Sequence, residues 1–194
     1  MAITGEQIKQ LRDQTGISVM QCKKALEEAA GDMDKALIIL KKKRSEAADK
    51  KADRELGAGA VGVYTHNTNE VAAMVLLACE TDFVAKNEEF VTLAREIAMH
   101  VAAQAPKFVS RSEVTEEALN KAKEVFAEEI KDKPADMQEK ILQGKLDAYF
   151  KDMILLEQPF IKNPDTTIGE MVNGAVQKFG ENITIAGIER LAVK

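Results

Sequence analysis

Apolar positions in the first 40 residues recur at helical spacing in three short runs. Ile8 and Leu11 mark the first, Cys22, Ala25, Leu26 and Ala29 the second, and Met33, Ala36, Leu37 and Leu40 the third. Each run opens on capping chemistry. Thr4-Gly5-Glu6-Gln7 and Ser18-Val19-Met20-Gln21 read as capping boxes, in which the hydroxyl accepts an amide N–H and the glutamine reaches back. Ile3 and Ile8 take the hydrophobic-staple positions, and Asp32 is a good N-cap for the third run. Gly16 and Gly31 stand where helices stop. The pattern predicts a three-helix module over 1–41. At about 40 residues such a bundle is near the lower limit for folding alone. It is expected to offer spare apolar surface to a partner.

The periodicity then breaks. Lys41-Lys42-Lys43-Arg44, Lys50-Lys51 and Arg54-Glu55 make a charged stretch, read as a linker over 42–56. It is either a solvated helix end, with lysines favoured by the helix dipole, or a contact with RNA or the ribosome. No aromatic residues interleave for base stacking, which favours the first.

Beyond Gly57-Ala58-Gly59 the period becomes two. Ala60 to Tyr64 alternates, with Val61 and Val63 on one side, Thr65 to Asn69 reads as a turn, and Val71 to Ala78 returns as a buried strand. A third strand candidate spans Ile183 to Ile188. Between them the chain is helical. Asn87 can cap a long helix carrying Phe90, Leu93, Ala94, Ile97, Ala98 and Val101. Two helices over 114–132 and 134–153 form a helical hairpin turning at Asp132-Lys133-Pro134. Thr167-Ile168-Gly169-Glu170 is a third capping box, and its helix closes at Phe179-Gly180. The fold class is α+β: the three-helix module, then a core over 57–194 of a small antiparallel sheet covered on one side by helices.

Composition narrows the function. Of 194 residues, 45% are apolar and 30% charged, with a net charge of −5, so no nucleic acid is expected as a partner. Cys22 and Cys79 sit in apolar segments and read as buried free thiols in a reducing, cytoplasmic setting. The first residues are interrupted by Glu6, Lys9, Arg12 and Asp13, unlike a signal peptide. No run approaches the ~18 apolar residues of a membrane span. No phosphate-binding glycine loop appears, and His66 and His100 lie outside zinc-ligand spacing, so neither cofactor nor metal is expected. Cys79 beside Glu80 lacks the electropositive setting of a thiol nucleophile. A binding protein is expected, not an enzyme. Thr81-Asp82-Phe83-Val84 places an acid and a large aromatic ring in a short connection after the buried strand. Phe83 either folds back onto its own core or projects as a wedge into a partner.

Two segments carry a family resemblance. One is Leu11-Arg12-Asp13-Gln14-Thr15-Gly16 with Met20-Gln21-Cys22-Lys23-Lys24-Ala25-Leu26 and Gly31-Asp32; the other is Glu80-Thr81-Asp82-Phe83-Val84-Ala85-Lys86-Asn87 with Phe90. Gln158-Pro159-Phe160 and Phe179-Gly180-Glu181-Asn182-Ile183 add to them. Over its whole length the chain resembles the elongation factor Ts family, the guanine-nucleotide exchange factors of elongation factor Tu. The resemblance makes residues 1–41 a module of ubiquitin-associated type. It implies that the ring of Phe83 inserts between helices of the GTPase domain, with Asp82 making polar contacts beside it. Magnesium and phosphate ligands shift and GDP leaves, with no nucleotide bound by the factor itself. It also implies partner contacts from Arg12, Val19 and Met20, from Ile161 and Lys162, and from Phe179 and Gly180. Val19 replaces a methionine, and Lys162 is polar where an apolar residue is expected. His66 resembles a histidine from the second core half of longer members. Only one core unit is present here, as in the short form of the family, which implies a homodimer through the sheet region. A helical adaptor built on the N-terminal module and a thiol enzyme using Cys79 are the competing readings.

Overall fold

The computed structural model describes residues 3–131 and 134–193. The turn expected at Asp132-Lys133 lies outside them.

The N-terminal helices are α1 (Gly5–Thr15), α2 (Val19–Glu28) and α3 (Met33–Asp49). Thr4 forms the reciprocal capping box with Gln7. Ser18 forms half of one: its hydroxyl accepts the Gln21 amide at 3.4 Å, but the Gln21 side chain takes that hydroxyl at 3.3 Å. Leu11, Ile17, Cys22, Ala25, Leu26, Ala36 and Leu40 close a small core. α3 does not stop at residue 41. Most residues from Lys41 to Asp49 (the lysines, Arg44, Glu46, Ala47 and Ala48) are good helix formers, with no glycine or proline among them, so the helix runs on through the charged stretch. Its last turns lie against the second half of the chain, where Ala48 packs on the main core.

The sheet is antiparallel in the order β1 (Ala58–Thr65), β2 (Val71–Cys79), β5 (Ile183–Ala192). α5 (Glu88–Gln104) lies across one face. Ala73, Val75, Leu77 and Cys79 face it and pack on Phe90, Ala94, Ile97 and Val101. Gly62 is where β1 meets α5 most closely: a Cβ there would come within 2.2 Å of the Ala94 carbonyl. α8 (Ile168–Phe179) seals the same core behind a complete Thr167–Glu170 capping box. The opposite face of the sheet is open, with Val61, Val63, Met74, Leu76 and Leu191 exposed.

α6 (Glu116–Ile130) and α7 (Ala135–Lys151) pack through a satellite core of Ala122, Leu146, Phe150 and Ile154. A second, two-stranded sheet joins β3 (Pro159–Phe160) to β4 (Asn163–Thr167). The mixed α+β architecture, with helices on one face of a small antiparallel sheet, is the one the pattern predicts.

Candidate partner interface

β2 ends at Cys79, paired with Ile183 of β5. The next residues form α4 (Asp82–Ala85), a single helical turn within the short connection that the pattern suggests. In this turn, Val84 and Phe83 point opposite ways. Val84 is 9% exposed and joins the main core, whereas Phe83 is 85% exposed, the most exposed large apolar side chain among the described residues. Val84 therefore anchors the turn in the main core. Asp82, beside the ring, pairs with Lys86 at 2.7 Å. That hydrogen bond and charge hold the Asp82 carboxyl below its ordinary range.

The turn is braced from the far end of the chain. The Glu181 carboxylate accepts the Glu80 amide at 3.1 Å, the Thr81 amide at 3.0 Å and the Thr81 hydroxyl at 2.5 Å. In return the Asn182 amide donates to Glu80 Oε1 at 2.6 Å, and Arg54 reaches the same oxygen at 3.2 Å. These contacts hold the Glu80 carboxyl low, the Asn182 amide contributing most. The Asn182 side chain ties in the connector by donating to the Ala52 and Arg54 carbonyls.

Phe179 and Gly180 precede this brace directly. Phe179 is half-buried, edge-on to Phe90 with centroids 6.0 Å apart. Gly180 ends α8 at φ +77°, the left-handed region where glycine is favoured. Lys178 forms an ion pair with Glu89. The preceding residue, Gln177, donates to Gln21 at 3.0 Å and accepts from Arg44 at 3.2 Å. Contacts thus run from α2 through the end of α8 to the Phe83 turn. Val19 and Met20 are exposed in the first turn of α2, and Arg12 is exposed near the end of α1.

The remaining candidates lie elsewhere. Ile161 and Lys162 form the β3–β4 turn, where the Ile161 amide donates to His100 Nδ1 at 3.3 Å and Lys162 pairs with Glu96 at 2.8 Å. His66 is exposed at the tip of the β1–β2 hairpin, with its ring 3.1 Å from the Tyr64 hydroxyl. It stands roughly 25 Å along β2 from the Phe83 end. Within one chain the fold does not bring His66 and Phe83 together.

Cys79 is buried, donates to the Thr81 carbonyl at 3.2 Å, and has its pKa raised by burial and the Glu181 carboxylate. That is the opposite of an activated thiol. Among the described residues no cluster of His, Cys, Asp and Glu could hold a metal ion, and no helix is long and apolar enough to cross a membrane.

Residues 40–194 match the family described as Elongation factor TS. The chain belongs to the elongation factor Ts family. It is 45% identical to the Elongation factor Ts of Thermodesulfovibrio yellowstonii, over all of this chain and 97% of that one. It is 44% identical to that of Thermosipho melanesiensis, covering 98% of each. The Elongation factor Ts of Carboxydothermus hydrogenoformans is 46% identical, over 94% of this chain and 85% of its own. The match to these elongation factor Ts relatives thus runs along nearly the whole of this chain.

Sequence reasoning missed Glu181, Asn182 and Arg54 as parts of this site. A signal for the first two exists. Continuing the β2–β5 register past Cys79↔Ile183 sets Glu80 opposite Asn182 and Thr81 opposite Glu181.

Proposed function

We propose that this chain is a guanine-nucleotide exchange factor that binds elongation factor Tu·GDP and promotes GDP release. It does so by inserting Phe83, with Asp82 beside it, into the GTPase domain and disturbing the magnesium and phosphate site. The observation that carries this reading is the 85% exposure of Phe83 on a turn fixed by Val84 below and by Glu181 at its start. An apolar ring held in water by a rigid turn is stabilised by a partner that buries it.

The mechanism is linkage. A factor that binds the nucleotide-free GTPase more tightly than the GDP-bound one weakens GDP by the same coupling free energy. Burying one phenylalanine supplies about 1.5–3 kcal/mol, or roughly ten- to hundredfold in the equilibrium. Larger effects need further contacts, and Met20, Val19 and Arg12 of the N-terminal module, Phe179-Gly180 and Ile161-Lys162 are assigned to them. No bond is made or broken by the factor, and it holds no nucleotide, cofactor or metal. The three N-terminal helices, whose core is closed within 1–41, act as a docking module and the core over 57–194 as the unit that dimerises, in a cytoplasmic setting.

The dimer is assigned to the open face of the sheet. Val61, Val63, Met74, Leu76 and Leu191 leave that face apolar and exposed, which supports pairing with a second copy. A second copy is also what would bring a His66 hairpin tip to a Phe83 turn.

The test is stopped-flow release of fluorescent GDP from elongation factor Tu. Accelerated release on adding the chain supports the proposal. An unchanged rate at saturating factor refutes it and favours an adaptor role for the N-terminal module.

A further inference from the structure

We propose that Glu181 is the positioning residue of the Phe83 turn: its carboxylate, and not the intrinsic stability of α4, sets where the ring stands. The inference rests on the reading of Phe83 as the inserting side chain.

α4 has four residues, too few to hold a helical turn without outside support. Its N-cap residue, Thr81, makes no side-chain cap to its own turn. The Thr81 hydroxyl points instead to Glu181 Oε1 at 2.5 Å. The amides of Glu80 and Thr81 would be left without partners where β2 ends, and both donate to Glu181 Oε2. One carboxylate therefore satisfies the two amides that link the strand to the turn and orients the hydroxyl between them. Hydrogen bonds to an ionised acceptor are stronger than neutral ones. The arrangement follows from the register, which sets residue 181 opposite residue 81.

Fixation at one end alone would let the turn pivot. Val84 pins the other end in the core. Lys86 and Asp82 are exposed and close the turn from outside; an ion pair of that kind contributes little to rigidity. Glu181 and Val84 thus hold the turn from its two sides, and Phe83 projects between them. Glu181 follows Phe179 and Gly180 directly. The same residue thereby holds the wedge at a set distance from the second predicted contact.

The test compares Glu181→Ala, Glu181→Gln and Glu181→Asp, each alone and with Phe83→Ala. The readouts are GDP release from elongation factor Tu, affinity for the nucleotide-free GTPase, and hydrogen exchange of the Glu80 and Thr81 amides in the free factor. Glu181→Ala is expected to lower stimulated release about tenfold and to speed exchange of both amides. Gln keeps the reach and an acceptor oxygen, so it restores most of the activity. Asp keeps the charge but is one methylene shorter, so it does not. In the Phe83→Ala background, Glu181→Ala is expected to cost no further affinity. Additive losses would overturn the proposal, since Glu181 would then act independently of the ring. Wild-type release by Glu181→Ala or Glu181→Asp would overturn it as well. If the alanine variant does not fold, the ranking of Gln above Asp decides, and the reverse ranking refutes positioning by reach. A Phe83→Ala variant that itself exchanges normally would instead sink the underlying reading of Phe83.

Discussion

Gly62→Ala tests the packing that holds the sheet beneath the interface. A Cβ at this position would lie 2.2 Å from the carbonyl carbon and oxygen of Ala94 and 2.6 Å from the amide nitrogen of Arg95. Both sides of the contact are backbone, so no side-chain rotamer can relieve it. Either β1 or α5 must retreat by about 1.2–1.8 Å to reach ordinary contact, and even a gap of about 0.5–1 Å forfeits a quarter to a half of each dispersion well along the seam. Phe90, Ala94, Ile97, Ala98 and Val101 of α5 are buried there. Overpacking of a core costs about 1–3 kcal/mol, and a backbone-on-backbone clash belongs at the upper end, about 3 kcal/mol. For a domain of this size that lowers Tm by about 6–12 °C. Gly144→Ala is the matched control. Gly144 is an exposed position in α7 where an added methyl would have no neighbour within 4 Å, and removing glycine from a helix interior stabilises by about 0.5–1 kcal/mol. Thermal unfolding followed by circular dichroism separates the two. A Gly62→Ala variant that melts within about 2 °C of wild type would refute the close approach of β1 and α5.

Two further outcomes follow from buried and exposed groups. His100 is buried, with Nε2 2.9 Å from the Gln158 side-chain oxygen and Nδ1 accepting from Ile161, and burial lowers its pKa below the ordinary 6.5. The unfolded chain then binds the proton more readily, so stability is fully present above pH 6.5 and falls as the pH drops toward the folded pKa. The limiting slope is about 1.4 kcal/mol per pH unit, and urea titrations across pH 7 to 5 on wild type and His100→Gln check it; a wild-type slope equal to the variant's would contradict the assignment. On the open sheet face, Leu76 sits opposite Val61, and Leu76→Lys is expected to convert a dimer into a monomer by sedimentation equilibrium. A wild-type chain that is monomeric at micromolar concentration would refute the dimer.

Much of the fold is legible in the sequence because local signals agree with the tertiary structure. The Thr4 and Thr167 capping boxes mark helix starts correctly, and the alternation in β1 and the apolar run of β2 place the sheet. Where the pattern falls short, the deciding physics is not local. The apolar period of α3 fades at residue 41, and the charged run after it looks like a linker. Its residues nonetheless favour helix, and its end is held by Arg44 and Ala48 against the core. β3 is only Pro159-Phe160 and β4 is polar with a proline of its own, so neither has an alternation to find. α5 ends on Ala105 in the left-handed region, where no glycine announces the stop. At the site, the sequence pattern marks Asp82-Phe83 as unusual but does not say which way the ring points. Direction depends on which neighbour of Phe83 is buried, and that is Val84. Glu181 lies in a segment that carries the family resemblance, but its partners become visible only once the register of β5 against β2 is known.

The most direct measurement is the rate of fluorescent GDP release from elongation factor Tu driven by wild type and by Phe83→Ala, with the melting temperature of each factor taken alongside. Because the ring is 85% exposed in the free chain, its loss leaves the melting temperature unchanged while stimulated release falls about ten- to hundredfold. A variant that folds normally and still drives release at the wild-type rate would contradict the account.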